Sequence, residues 1–162
     1  MTHNVEICKA KVSDLNSLKL LWLGLYKHHD PYRDPYYYPR LKNAPEVWKK
    51  YIKKELRKKN FIILVATIDN QIVGYLTAHL KLYNPPVFKR KQTSYVHDVF
   101  VDTEFRNQGI GKILMLHLEK ILKKKKVKLL RLEVHYKNKK AIKFYKKIGF
   151  RDHLIHLQKV LK

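Results

Sequence analysis

A mixed α+β fold in one domain is what this sequence predicts, and three observations predict it. Its 162 residues suit one domain with a sizeable core. Apolar stretches of period two and of period 3.6 follow one another in the order β-α-α-β-β-β-α-β-α-β. Neither an internal repeat nor a linker interrupts them, so the expected domain covers residues 1–162.

The elements follow in order. Val5 and Ile7 alternate with polar neighbours in a first strand over residues 4–9. Ser13 is placed to cap a helix whose apolar residues Leu15, Leu18, Trp22 and Leu25 recur at three and four. Residues 28–40, HHDPYRDPYYYPR, read as a loop, because prolines at 31, 35, 39 and 45 break any helix in or just after it. Trp48, Ile52 and Leu56 then stripe a second helix, from near Pro45 to Lys59. Phe61–Ile68 is a β-branched apolar run, Asp69-Asn70 a turn, and residues 71–82 the returning strand of an antiparallel hairpin. Asn84-Pro85-Pro86 ends that strand. A strand over 93–101, a helix over 108–125, a strand over 127–135, a short helix over 138–148 and a last strand over 150–160 complete the chain.

Apolar and aromatic residues make up 45% and charged ones 30%, which is a globular composition and not a disordered one. No apolar run approaches the roughly 20 residues of a membrane span, and the opening MTHNVEICKA has no apolar signal core. With Cys8 alone there is no intrachain disulfide, and a reducing cytoplasm is the expected compartment. The balance of 36 basic against 13 acidic residues, a net +23, attracts polyanions: RNA, ribosomes, anionic lipid or nucleotide phosphates. The lysines are spread along the chain, which favours a solvated basic surface, and Lys123–Lys126 at a helix end complement its dipole.

The chemistry-bearing stretch begins at Ser94. A strand with Val96, Val99 and Val101 feeds a short loop, after which Gly109-Ile110-Gly111 opens an amphipathic helix. Amides at a helix start are unpaired and accept an anion, the two glycines admit a diphosphate closely, and Arg106 and Lys112 add charge. A Walker A loop is excluded because Ile113 follows Gly111-Lys112; a dinucleotide fingerprint is excluded because Leu114 stands at its third glycine.

In context the segment is specific. Val99-Phe100-Val101, Arg106-x-x-Gly109-x-Gly111, Leu132-Glu133-Val134, Asn138, then Ala141-Ile142-x-Phe144-Tyr145-x-x-x-Gly149-Phe150 together resemble the GCN5-related N-acetyltransferase (GNAT) superfamily, over about residues 94–151. The Leu132–Asn138–Tyr145 spacing resembles ribosomal-protein N-terminal acetyltransferases, and the Tyr95–Val101 strand equally resembles polyamine acetyltransferases. This resemblance implies a mostly antiparallel sheet with splayed central parallel strands, acetyl-CoA as acyl donor, no metal, and direct attack by a neutral amine. It places pantetheine on the backbone of Val99, Phe100 and Val101, and the pyrophosphate on Asn107, Gln108, Gly109, Ile110, Gly111 and Lys112 beside Arg106. Asn138 falls where it contacts the cofactor or caps the following helix.

For catalysis the resemblance implies Tyr145 as hydrogen-bond donor to the departing thiolate, alternatively a core aromatic. Glu133 matches an occasional catalytic glutamate, or pairs with a lysine. His97 stands where relatives carry a base glutamate, and an imidazole suits that work near neutral pH. Asp98 is expected on the opposite face of the strand, ordering backbone or meeting substrate. Substrate choice is expected from the 28–40 loop, where Asp30 and Asp34 lie among Tyr32, Tyr36, Tyr37 and Tyr38; carboxylates amid aromatics hold an ammonium, or the tyrosines simply pack. Small amines, polyamines and peptide or protein amines all fit as acceptors, and a homodimer is left open. The competing readings are a basic RNA- or ribosome-binding module on this scaffold, for which no RNA-binding signature such as RNP1 exists, and a CoA sensor without turnover.

Overall fold

The computed structural model describes residues 4–32, 41–83 and 91–159. A five-stranded sheet runs in the order β1-β2-β3-β4-β5, with β1 at Glu6–Lys9, β2 at Phe61–Ile68, β3 at Gln71–Tyr83, β4 at Lys91–Val101 and β5 at Leu129–Leu132. The first four strands pair antiparallel, and β5 joins β4 in parallel. Four helices cover the sheet: α1 at Leu15–His28, α2 at Ala44–Glu55, α3 at Ile110–Lys124 and α4 at Lys139–Lys147.

β2 reads as an unbroken apolar run because both of its faces are covered. Ile62, Leu64 and Ala66 pack with Ile110, Leu114, Met115 and Leu118 of α3. Ile63 and Val65 pack on the other face with Leu18 and Leu25 of α1, Trp48 and Ile52 of α2, Tyr75 of β3 and Phe100 of β4. The β2–β3 turn forms where expected: Asp69 and Asn70 both adopt positive φ, 47° and 63°, which a two-residue hairpin turn of the primed type demands.

Three expectations are corrected. Ser13 does not cap α1. It sits inside a one-turn 3₁₀ helix, Val12–Asp14, and Asp14 precedes the first helical residue while its carboxylate accepts from the Lys11 amide at 2.7 Å. β5 stops at Leu132 instead of continuing to His135, since its ladder with β4 ends there. Among the described residues of the expected last strand none is in a strand, and Leu154, Ile155 and Leu157 are 72%, 87% and 92% exposed. Leu154 and Ile155 are neighbours, so strand alternation sends them to opposite faces and no single sheet face buries both.

Packing is close around Phe100 on β4. A Cβ on Gly24 of α1 would stand 2.8 Å from the Phe100 ring, and one on Gly74 of β3 would stand 2.9 Å from the Phe100 carbonyl oxygen. Two absent methyl groups therefore let a helix and a strand close on β4 from both sides. The contact at Gly74 is with backbone, which yields little. Gly74→Ala is expected to cost about 1–3 kcal/mol, read as a lower urea midpoint with an unchanged slope.

Candidate active site

The start of α3 is built to leave amides free. Gly109 occupies the position before the helix with φ of 80°, and no side chain caps the first turn. Asn107 is also left-handed, at φ 64°. Left-handed residues on a tight loop turn successive N–H groups toward one concavity, an anion-binding nest. A Cβ on Gly109 would meet nothing within 4 Å, so glycine is required there by conformation, and space is left for a ligand. Asn107, Gln108, Gly109 and Lys112 are exposed, no acidic residue stands in the first turn, and Ile110 is buried as the anchor of the helix. At Gly111 a Cβ would touch the Phe144 ring at 3.5 Å, so this glycine serves the approach of α4. Arg106 does more than add charge: its Nε donates to the Val101 carbonyl at 3.0 Å and its guanidinium lies 5.1 Å from the Phe100 ring centroid. It latches the loop to the end of β4 and occupies one carbonyl expected to face pantetheine.

Beside this nest the two parallel strands part. The β4–β5 ladder ends at Val96 and Leu132, so residues 97–101 of β4 have no partner on that side. One residue past the end of the ladder, the β3–β4 pairing slips: Ala78 faces Val96 but Thr77 faces Asp98. This bulge inserts His97 and reverses the expectation that His97 and Asp98 point to opposite faces, because an extra residue breaks the alternation. His97 packs on Phe61 and His79, with ring centroids at 5.9 and 4.6 Å. Asp98 accepts from the Thr77 hydroxyl at 3.2 Å, and its amide donates to the same hydroxyl oxygen at 3.2 Å. Both side chains thus lie on the α1/α2 side.

Burial pushes the Asp98 carboxyl up from 3.8 to about 6, against the hydrogen bond from Thr77 and the pull of the Tyr75 hydroxyl. That hydroxyl is buried and directed toward Asp98, whose charge and hydrogen bonding, after burial, push the phenol well above its usual range. Tyr145 of α4 is pushed up to about 12, first by burial and then by the charge of Asp98, so it keeps its proton at every physiological pH. His97 is lowered by burial and then by His79, while Glu55 and Glu133 oppose the shift. Glu133 lies just past β5 and is exposed. Glu55, at the end of α2, is buried and paired with Lys58 at 2.5 Å.

The opposite mouth of the gap is basic. His28 at the end of α1 is lowered by burial and by the charges of Arg106 and Lys140. Tyr32 stacks on His135 at 5.5 Å and so links the loop after α1 to the loop after β5. Asn138 caps α4, its side-chain oxygen accepting from the Ala141 amide at 3.1 Å, which leaves its NH₂ group to donate. Asp30 starts a short 3₁₀ turn, Asp30–Tyr32; Asp34 and Tyr36 lie outside the described residues. Sequence reading missed Glu55, Tyr75, Thr77 and His79. Only a cross-strand register reveals them, and no local motif encodes it.

The nest, the ladder that ends beside it and the opening between the strands fit an extended ligand with a diphosphate at one end, as coenzyme A has. The chain matches the Acetyltransferase (GNAT) family over residues 22–150, and it belongs to that family. Acyl-CoA-dependent N-acetyl transfer is accordingly its reaction class. It is 28% identical to an uncharacterized N-acetyltransferase, MJ1207, of Methanocaldococcus jannaschii over 86% of its length, but spans only 57% of that protein. An uncharacterized N-acetyltransferase of Archaeoglobus fulgidus is 30% identical, covering 87% of this chain and 89% of the relative. The spermidine N(1)-acetyltransferase of Thermoplasma acidophilum is 26% identical, covering 91% and 89%. In fold, the chain superposes on an aminoglycoside N-acetyltransferase solved with CoA, AAC(6′)-Iy, with TM-score 0.77 over 98% of this chain and 97% of that one, at 15% identity.

Asp98 makes a stability prediction. Its folded value lies above the unfolded one, so folding takes up a proton between pH 3.8 and about 6. Stability is therefore full below that window, falls as pH rises through it and stays lower above. Asp98→Asn is expected to flatten this dependence and to stabilise the protein at pH 7.5 by up to about 3 kcal/mol, measured by urea unfolding at acid and neutral pH.

Proposed function

We propose that this enzyme acetylates a small cationic amine of the polyamine class. The observation that carries the reading is a local reversal of charge. In a chain of net +23, the acceptor side of the gap gathers three carboxylates: Glu55 acts on Tyr51 and His97, Asp98 on Tyr51 and Glu133 on His97. Aromatic rings from Phe61, Tyr51 and Tyr95 stand around the same spot. Carboxylates beside π faces attract an ammonium and reject anions, while the basic nest on the other side takes phosphates. The likeness to a spermidine acetyltransferase supports the same class.

Bound acetyl-CoA supplies an acyl thioester as electrophile: the amine nitrogen bonds to its carbonyl carbon as the C–S bond breaks, and of the two protons the ammonium loses, one ends on sulfur and one in solvent. The chain's own residues set this up. Amides of residues 107–112 with Lys112 and Arg106 hold the diphosphate, and the open edge of β4 at Val99 and Phe100 meets the pantetheine amides. Tyr145 donates a hydrogen bond where negative charge develops. A phenol near 12 does not surrender its proton to a thiolate, whose conjugate acid is near 8.5, so it stabilises without full transfer. Asp98, ionised at pH 7, draws the ammonium inward. His97, with Glu133 in electrostatic reach, takes its proton.

Three measurements test this. Gly109→Glu is expected to abolish CoA binding in calorimetry while the variant keeps its far-UV dichroism, since a carboxylate would then face the nest. Tyr145→Phe is expected to lower kcat about 100-fold with CoA affinity nearly unchanged; an unaltered rate in an assay limited by chemistry removes the residue from the mechanism. In a CoA-release panel of polyamines, aminoglycosides, amino acids and peptides with free N-termini, spermidine-like amines are expected to give the highest kcat/KM; a preference for peptides overturns the acceptor assignment.

A further inference from the structure

The bulge brings His97 against a second histidine that the roles above leave unused. His79 Nδ1 and His97 Nε2 stand 2.5 Å apart, with ring planes within 16° of each other and centroids at 4.6 Å. Nearly coplanar rings at that separation meet nitrogen to nitrogen, edge to edge. One nitrogen must then carry the hydrogen and the other its lone pair. Such a pair has room for one added proton, on an outer nitrogen. A second would leave two N–H groups facing each other and break the bond. The rings are held in place by Phe61, stacked on His97 at 5.9 Å, and by Tyr95, at 6.0 and 5.7 Å from the two rings.

We propose that His79 and His97 act as one proton-accepting unit for the amine, with His79 as the residue that positions His97 and shares its proton. The inference rests on the amine-acetylating reading. An acceptor arrives as R–NH₃⁺; one N–H bond breaks, the electron pair stays on nitrogen as the nucleophilic lone pair, and the proton joins the neutral pair. The exposed His97 edge then returns that proton to water, and the pair is neutral again.

The surroundings suit a unit that holds one proton briefly. Burial lowers both imidazoles from 6.5, His97 further through His79 and His79 further through Lys81, so the resting pair is neutral at pH 7. Within reach of it are Glu55 from α2, Lys81 from β3, Glu133 from beyond β5 and Tyr95 from β4, with Asp98 the next residue along the strand. Glu55 favours a proton on either ring and Glu133 on His97, although Lys58 offsets part of the Glu55 charge. Among the described residues no group of three or more His, Cys, Asp or Glu converges in a way that could hold a metal ion. Two coupled imidazoles titrate as a pair in two separated steps, not as independent groups.

His79→Asn keeps a polar atom near the Nδ1 position but cannot accept a proton, and His79→Phe keeps the ring contact without the nitrogen. Both are expected to fold, to bind CoA like the parent enzyme, and to lose about 10- to 100-fold in kcat at pH 7, with the acidic limb of kcat/KM displaced. In the ligand-free protein, the His97 Cε1–H resonance is expected to titrate in two steps with His79 present and in a single step in either variant. Parent-like kcat and an unmoved acidic limb in both variants overturn the proposal, and so does single-step titration of His97 in the parent. If the parent releases CoA with none of the amines, the acceptor reading fails and the catalytic step falls with it, while the resonance still reports whether the two rings share a proton.

Discussion

Everything in the site depends on where the β4–β5 ladder stops. Pairing ends at Val96 and Leu132, and the bulge begins at the next residue. An unpaired strand edge exposes N–H and C=O groups that must find partners. Here Arg106 satisfies the Val101 carbonyl, and the proposed reading gives the rest of the edge to coenzyme A. The same break in pairing accompanies α4, which follows β5 and carries Tyr145 within electrostatic reach of Asp98. A sheet zipped to its end would have neither cleft nor facing side chains.

Two adjacent environments of opposite sign meet at this opening. Amides of an uncapped helix start, Lys112 and Arg106 lie on one side, with His28 and Lys140 near them. Carboxylates and aromatic rings lie on the other. The overall charge of +23 is a property of the whole surface, screened within about 10 Å at ordinary salt, whereas these groups act at contact range. Local arrangement therefore outweighs the overall charge at this opening, and a basic chain is compatible with the proposed cationic acceptor.

Burial tunes the reacting groups in different directions. It raises Asp98 and Tyr145 and lowers His79 and His97, because in each case the charged form loses hydration. Near neutral pH the result is an ionised carboxylate, a protonated phenol and neutral imidazoles. The proposed mechanism uses those three states together: a charge to attract the ammonium, a donor for the leaving sulfur and a base for the proton.

Much of this is legible in the chain itself. Period-two and period-3.6 patterns located four helices and five strands to within a few residues, the Asp69-Asn70 turn included, because burial of a repeating face leaves its period in the sequence. The glycines at the start of α3 were readable because backbone that meets an anion needs positive φ or the absence of a side chain. The apolar tail misled, since Leu154, Ile155 and Leu157 satisfy strand propensity without a partner edge, and propensity carries no information about pairing. The face of Asp98, the partnership of His79 with His97, and the approach of Glu55 to both were decided only by the tertiary fold. Each depends on the register of β3 against β4, and a single inserted residue in that register reverses a side chain, whereas nothing in the local sequence at Tyr95–Asp98 distinguishes the two outcomes.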